Sequence, residues 1–265
     1  MKGKRLLVVS VCLGLLMAVA LMTACRREGF SLTAQGITNL DSLTLSQNLV
    51  VSGSSNLKGN IADSANSLRL NDNVLVIGAE VYSRILNWKD RTTCVFFGDG
   101  AGAALVQKVE EGRGILGSWL RADGRGSHVI EIPAGGVRSP ISASLMEQGD
   151  QYFHMDGRAV WDFAIVAFPQ AVRGVLERYG YGLEDVDMVI PHQANINIIT
   201  TGMERLGLPM EKAFTNLHRY ANMAGASIPV ALHDAVKEGK IRKGDLVVTA
   251  GFGGGLAWGA NLIRW

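Results

Sequence analysis

Hydrophobic and polar positions divide the chain into three stretches of different texture. Leu6 to Ala24 is a nearly unbroken apolar run preceded by Lys2, Lys4 and Arg5. Arg26 to Asn73 is rich in Ser, Asn, Gly and Thr, with short apolar pieces such as Leu43-Thr44-Leu45 and Leu49-Val50-Val51. Asn-Leu pairs recur there at Asn39, Asn48 and Asn56, so the stretch reads either as a polar tether or as a weak strand repeat. From Val74 onward the pattern turns to α/β. Val74 to Ala79 and Cys94 to Phe97 are short continuous apolar runs, which predict strands buried on both faces. Val160 to Tyr179 places Ala164, Phe168, Ala171 and Val175 on one helical stripe, with a kink expected at Pro169 and an end at Gly180. Val186 to Ile190 predicts a strand, Ala194 to Leu206 a helix, and Ala226 to Lys237 another helix. Leu246 to Ala250 and Leu256 to Ile263 predict two more strands. Strands alternating with helices imply a layered α/β body.

Composition narrows the function. The 265 residues are 48% hydrophobic and 19% charged, which excludes a chain that is mainly disordered. Lys+Arg 26 against Asp+Glu 24 gives net +2, and no basic face is implied. Nucleic-acid binding is therefore not expected, because phosphate neutralisation needs clustered cations. Three cysteines, Cys12, Cys25 and Cys94, supply neither a disulfide framework nor a four-thiolate zinc site. No metal and no cofactor are expected.

The N-terminal 25 residues read as an address. A basic start followed by a short apolar stretch is the pattern of a secretory signal. Leu21-Met22-Thr23-Ala24-Cys25 also resembles a bacterial lipobox, which implies lipidation at Cys25. An uncleaved anchor is the alternative, since the run is just long enough to span a bilayer. The expected organisation is a leader over 1–25, a tether over 26–73, and α/β segments over 74–150 and 151–265.

The glycine-rich pieces do not make a nucleotide site. Gly98-Asp99-Gly100-Ala101-Gly102 is not G-x-G-x-x-G, and Gly251 to Gly255 leads into a strand rather than a helix N-terminus. No G-x-S-x-G elbow occurs, which argues against an α/β-hydrolase. Two polar constellations remain. Pro191-His192-Gln193-Ala194-Asn195 follows a buried strand, where α/β sheets place their sites. Asn222 begins a helix, either as its cap or pointing into a cleft. The Gly253-Gly254-Gly255 turn has backbone N–H groups able to stabilise an oxyanion. His128, His154, His218 and His233 lack such settings.

Together with Phe97 to Ala103 and Gly251 to Gly259, these motifs resemble β-ketoacyl-acyl-carrier-protein synthase III of the thiolase superfamily. The likeness runs from about Val74 to Trp265. It implies a thiolase-like α/β fold, here one complete half plus the last strands of the other. It also implies decarboxylative condensation of malonyl-ACP with acyl-CoA, usually acetyl-CoA, with acyl-carrier protein as partner. Homodimerisation and a cytoplasmic setting follow from the same likeness. It casts His192 and Asn222 as two members of a Cys-His-Asn triad and Gly254 N–H as an oxyanion donor. It further casts Phe252 as an active-site wall and Asn195 as a lining of the CoA channel. The family's nucleophilic Cys lies upstream of the matching segment, so this chain is expected to lack it and to be unable to condense on its own. Cys94, at the start of an apolar strand, is expected to be a packed structural thiol. Ala221 stands where the family usually has Gly, Met223 where it often has Thr, and Asn197 where some members have a carrier-binding Arg. The competing expectation is a non-enzymatic membrane-attached lipoprotein carrying a synthase remnant.

Overall fold

A computed structural model describes residues 5–11, 50–52 and 74–265. Two four-stranded sheets carry the architecture. The first comprises β1 (Arg5–Val11), β2 (Val50–Ser52), β3 (Val74–Glu80) and β4 (Gly100–Val109), in the order β1-β4-β3-β2. The second comprises β5 (Gly114–Ala122), β8 (Met188–Pro191), β9 (Leu246–Gly253) and β10 (Ala257–Arg264), in the order β5-β10-β9-β8. The two sheets share one wiring. In each, the first strand runs antiparallel to the last, the last antiparallel to the one before it, and that one parallel to its outer neighbour. A small ribbon joins β6 (Ile130–Glu131) to β7 (His154–Met155).

The helices are α1 (Ala143–Gln148), α2 (Gly157–Tyr179), α3 (Ile196–Leu206), α4 (Leu217–Tyr220) and α5 (Ser227–Lys237). Helices α2 and α3 pack together, and α2 covers one face of the second sheet. Phe168, Val172, Val175, Ile199 and Met203 there meet Val189, Leu246 and Val248. On the opposite face Ala231, Leu232 and Ala235 of α5 meet Ile190, Val247 and Ile263, together with Val106 of β4. Helix α5 thus lies between the two sheets. Full burial of such side chains contributes about 1.5–3 kcal/mol each.

Most predicted elements stand, with shifted ends. Helix α2 starts at Gly157 because the Asp156 carboxylate accepts from the N–H groups of Arg158 and Ala159. Gly180 ends it in the left-handed conformation. The helix continues through Pro169, whose missing N–H leaves the Ile165 carbonyl without its helical donor. Arg205 of α3 supplies that donor, Nη1 to O at 3.0 Å. Arg173 of α2 in turn donates to the Arg205 and Leu206 carbonyls at the end of α3.

Three expectations need correction. Cys94 to Phe97 is not a strand. The Asp90 carboxylate accepts from the Thr92 N–H and from both threonine hydroxyls, and the Thr93 and Cys94 N–H groups donate to the Asp90 carbonyl. This Asx turn winds the segment and overrides its apolar pattern. Cys94 is therefore a half-buried turn residue and Val95 is exposed. The strand lies one step later, in the glycine-rich stretch of β4. A division at residue 150 also does not follow the sheets, because β5 is an edge strand of the second one. Finally, Arg5–Val11, read as part of a leader, is the strand β1, paired with β4 from Arg5↔Val109 to Val11↔Ala103. Cys12, Cys25 and nearly all of the 26–73 tether lie outside the described residues.

Candidate active site

The second sheet aims His192 at its site. Residue 192 follows the last residue of β8, and its N–H donates to the Ala250 carbonyl of β9 at 2.7 Å, which extends the parallel pairing by one step. The imidazole is largely enclosed, edge-on to the Phe252 ring at 5.4 Å. Burial pushes its pKa down to about 4. At neutral pH the ring is therefore uncharged and offers one N–H donor.

Asn222 arrives from the other direction. It follows α4 through Ala221, whose backbone sits at φ 57, ψ −161. Its N–H donates to the Phe96 carbonyl and its own carbonyl accepts from Gly98 N–H, both at 3.0 Å. This lone parallel bridge needs a very close approach, since a Cβ on Gly98 would overlap the Tyr220 carbonyl. The side-chain Oδ1 accepts from Ala224 N–H at 2.8 Å. That bond fixes the amide orientation and turns Nδ2 away as the free donor. Of the two sequence alternatives for Asn222, it lines a cavity and does not cap the helix, which starts only at Ser227; its Oδ1 closes a local turn with Ala224 instead.

The turn between β9 and β10 supplies the third component. Asp123 and Leu256 exchange both backbone hydrogen bonds, at 2.7 and 3.0 Å, and anchor the turn from outside. Gly255 at φ 137 occupies a conformation open only to glycine. Gly254 faces Ile130.

His192, Asn222, Phe252, Gly254 and Asn195 all line one cavity of about 410 Å³. Asn195 has a second duty. Its Oδ1 accepts from Asn197 N–H at 2.9 Å and caps α3, which is why that helix starts at Ile196 rather than Ala194. Among the described residues, no Cys, Asp, Glu, Lys or Arg lines the cavity, and the titratable groups that do are His192 and Tyr82. Among the described residues, no cluster of three His, Cys, Asp or Glu side chains could hold a metal.

Sequence reasoning missed the aromatic wall. Tyr82 stacks on Phe97 at 4.6 Å, and Phe153 meets both edge-on. Burial, reinforced by Glu80, pushes the Tyr82 phenol up to about 12, so it stays protonated. Ser83 N–H and Oγ donate to the Asp99 carboxylate and hold this loop in place. Trp161 of α2 lines the same cavity. Only the apolar Phe96-Phe97 pair gave a sequence signal. Tyr82 and Phe153 come from irregular segments with no periodicity to read.

A pair of identically wired sheets around a shared helix, with a His and an Asn meeting between them, defines a thiolase-like α/β protein. Comparison with known proteins makes this particular. Residues 60–124 match the family model described as 3-oxoacyl-[acyl-carrier-protein (ACP)] synthase III, and residues 176–265 match that of its C terminal. The chain belongs to the 3-oxoacyl-acyl-carrier-protein synthase III family. A beta-ketoacyl-[acyl-carrier-protein] synthase III of Symbiobacterium thermophilum is 51% identical over 196 residues, covering 74% of this chain and 59% of that protein. A namesake from Caldanaerobacter subterraneus is 50% identical over 193 residues, covering 73% and 58%. The crystal structure of 3-oxoacyl-[acyl-carrier-protein] synthase III from Aquifex aeolicus superposes with a TM-score of 0.65 at 42% identity, covering 73% of this chain and 58% of that one. The chain thus spans a little under three fifths of the length of these relatives.

Proposed function

We propose that this cavity binds a malonyl thioester, on CoA or on acyl-carrier protein, and promotes its decarboxylation as in a condensing enzyme. Loss of CO2 leaves an electron pair on the α-carbon, delocalised onto the thioester oxygen. The neutral His192 N–H and the Asn222 Nδ2–H converge on the cavity as donors to that oxygen, where charge develops. Gly254 N–H serves the carbonyl of a second, acyl thioester. If that thioester is present, the carbanion attacks it, gives a 3-oxoacyl thioester and releases a thiolate. If it is absent, the α-carbon takes a proton from water and an acetyl thioester forms. The reading needs no metal or cofactor, and it sets the protein in the cytoplasm beside its thioester substrates. Condensation through an acyl-cysteine has no nucleophile among the described lining residues. The alternative, a lipoprotein attached through Cys25, rests on the lipobox-like stretch Leu21 to Cys25 alone, which lies outside the described residues.

The observation that carries the proposal is the meeting of His192, Asn222 and Gly254 at one cavity in a chain 51% identical to a synthase III. Its test is CO2 release from malonyl-CoA. We expect His192→Ala to lower the rate by about 100-fold or more, the scale of a lost oxyanion donor. Equal turnover of the parent and His192→Ala would overturn the assignment. Mass spectrometry after incubation with acetyl-CoA is expected to show no acyl-cysteine.

A further inference from the structure

Gln193 has no solvent exposure, yet it carries a full set of polar groups into the core. Its Nε2 donates to the Pro191 carbonyl at 2.8 Å and to the Phe214 carbonyl at 3.2 Å. Its Oε1 accepts from the Asn216 N–H at 2.9 Å. One side chain thus ties the end of β8, which carries His192, to the 214–216 segment that opens α4, whose far end leads to Asn222. The tie continues outward. Asn216 Nδ2 donates to the buried Asp234 carboxylate at 3.0 Å, and Arg219 of α4 reaches the same oxygen at 3.3 Å. Asn216 Oδ1 is left buried without a partner. Buried amides gain little net stability over an apolar filling and lose heavily when unpaired. Their directional bonds instead fix register.

We infer that Gln193 is a positioning residue that sets the separation of His192 and Asn222 across the cavity. The two groups approach from separate elements. His192 leaves a rigid sheet, whereas Asn222 rides on a four-residue helix, too short to hold its own place. Phe96 and Gly98 fix the Asn222 backbone from one side, and Gln193 grips the start of α4 from the other. The inference rests on the reading that His192 and Asn222 act on one substrate atom.

The test replaces Gln193 with methionine, which keeps length and removes every hydrogen bond. In the folded Gln193→Met protein, NMR titration is expected to show the His192 imidazole pKa raised by at least one unit, because the displaced ring meets water. Turnover of malonyl-CoA is expected to fall at least tenfold in kcat, with KM changed less than threefold. A melting temperature lowered while the imidazole titration and kcat stay as in the parent would overturn the inference, since that is the outcome of a purely structural role. Hydrogen exchange on the unaltered protein gives a reading that no folding failure can block. The Asn216 and His192 amides are expected to exchange within about threefold of each other, through one shared opening. Asn216 exchanging 100-fold faster would also overturn it. Absence of turnover in the parent would count against the functional reading alone, because titration and exchange report on position without substrate.

Discussion

His192 shows how a single enclosed ring couples function to pH. Its pKa of about 4 lies below the ordinary 6.5. Between these values the unfolded chain binds a proton that the folded chain refuses, so stability rises with pH across the window and is lost as pH falls through it. The cost from pH 7 to pH 4 is on the order of 2–3 kcal/mol. We expect denaturant melts to show this slope in the parent and its loss in His192→Gln. Malonyl-CoA turnover is expected to be flat from about pH 6 to 8 as far as this group is concerned and to fall only as the ring charges. Ala221 offers the opposite case, a residue at odds with its place. At φ 57, ψ −161 it occupies backbone space that is essentially reserved for glycine. Relief of that strain exceeds the entropic penalty of glycine, so Ala221→Gly is expected to stabilise the protein by about 1 kcal/mol, read as a higher Tm. His192 and Gly254 stood out in sequence because they sit at junctions that strand patterns mark, whereas Asn222 was placed at a helix start that in fact lies at Ser227. Tyr82 and Phe153 did not stand out, since side-chain stacking between distant irregular segments leaves no local trace.

Elements were legible where burial is continuous and helix ends carry caps. Helices α2, α3 and α5 and strands β8 to β10 all appear within a few residues of expectation. The failure at Cys94 to Phe97 came from a competing local rule, the Asp90 carboxylate satisfying its own neighbours before a ladder can form. Strand β4 was missed for the converse reason. Its glycines carry no β propensity, but a larger residue at Gly100 would strike the Met223 side chain. Close approach is equally demanding between α2 and α3. A Cβ on Gly202 would overlap the Phe168 ring, itself fully buried. Gly202→Ala is therefore expected to destabilise by about 2 kcal/mol through overpacking. A melting curve that matches the parent would show that the two helices can separate at no cost.

At the scale of the molecule, the repeated wiring of the two sheets was not visible in the sequence, because pairing order is a long-range property. The family likeness supplied the thiolase-like architecture where the pattern alone gave only alternating layers. Large apolar side chains stand on the surface: Leu120 is 70% exposed, Trp88 64% and Val95 59%. We expect concentration-dependent self-association in light scattering, reduced by Leu120→Lys with little change in Tm. An unchanged scattering curve would place the adhesive surface elsewhere. The exchange of arginines between α2 and α3 reaches furthest. One helix has a broken rung at Pro169, mended by a hand from its neighbour, while the neighbour's own frayed end is held in return. Neither rod can slide without undoing the other's repair. The front ends of both rods, at Trp161 and Asn195, border the chamber where His192 waits. The clasp joins the middle of one rod to the far end of the other, so a shift of α3 along α2 carries Asn195, at the rim of that chamber, with it.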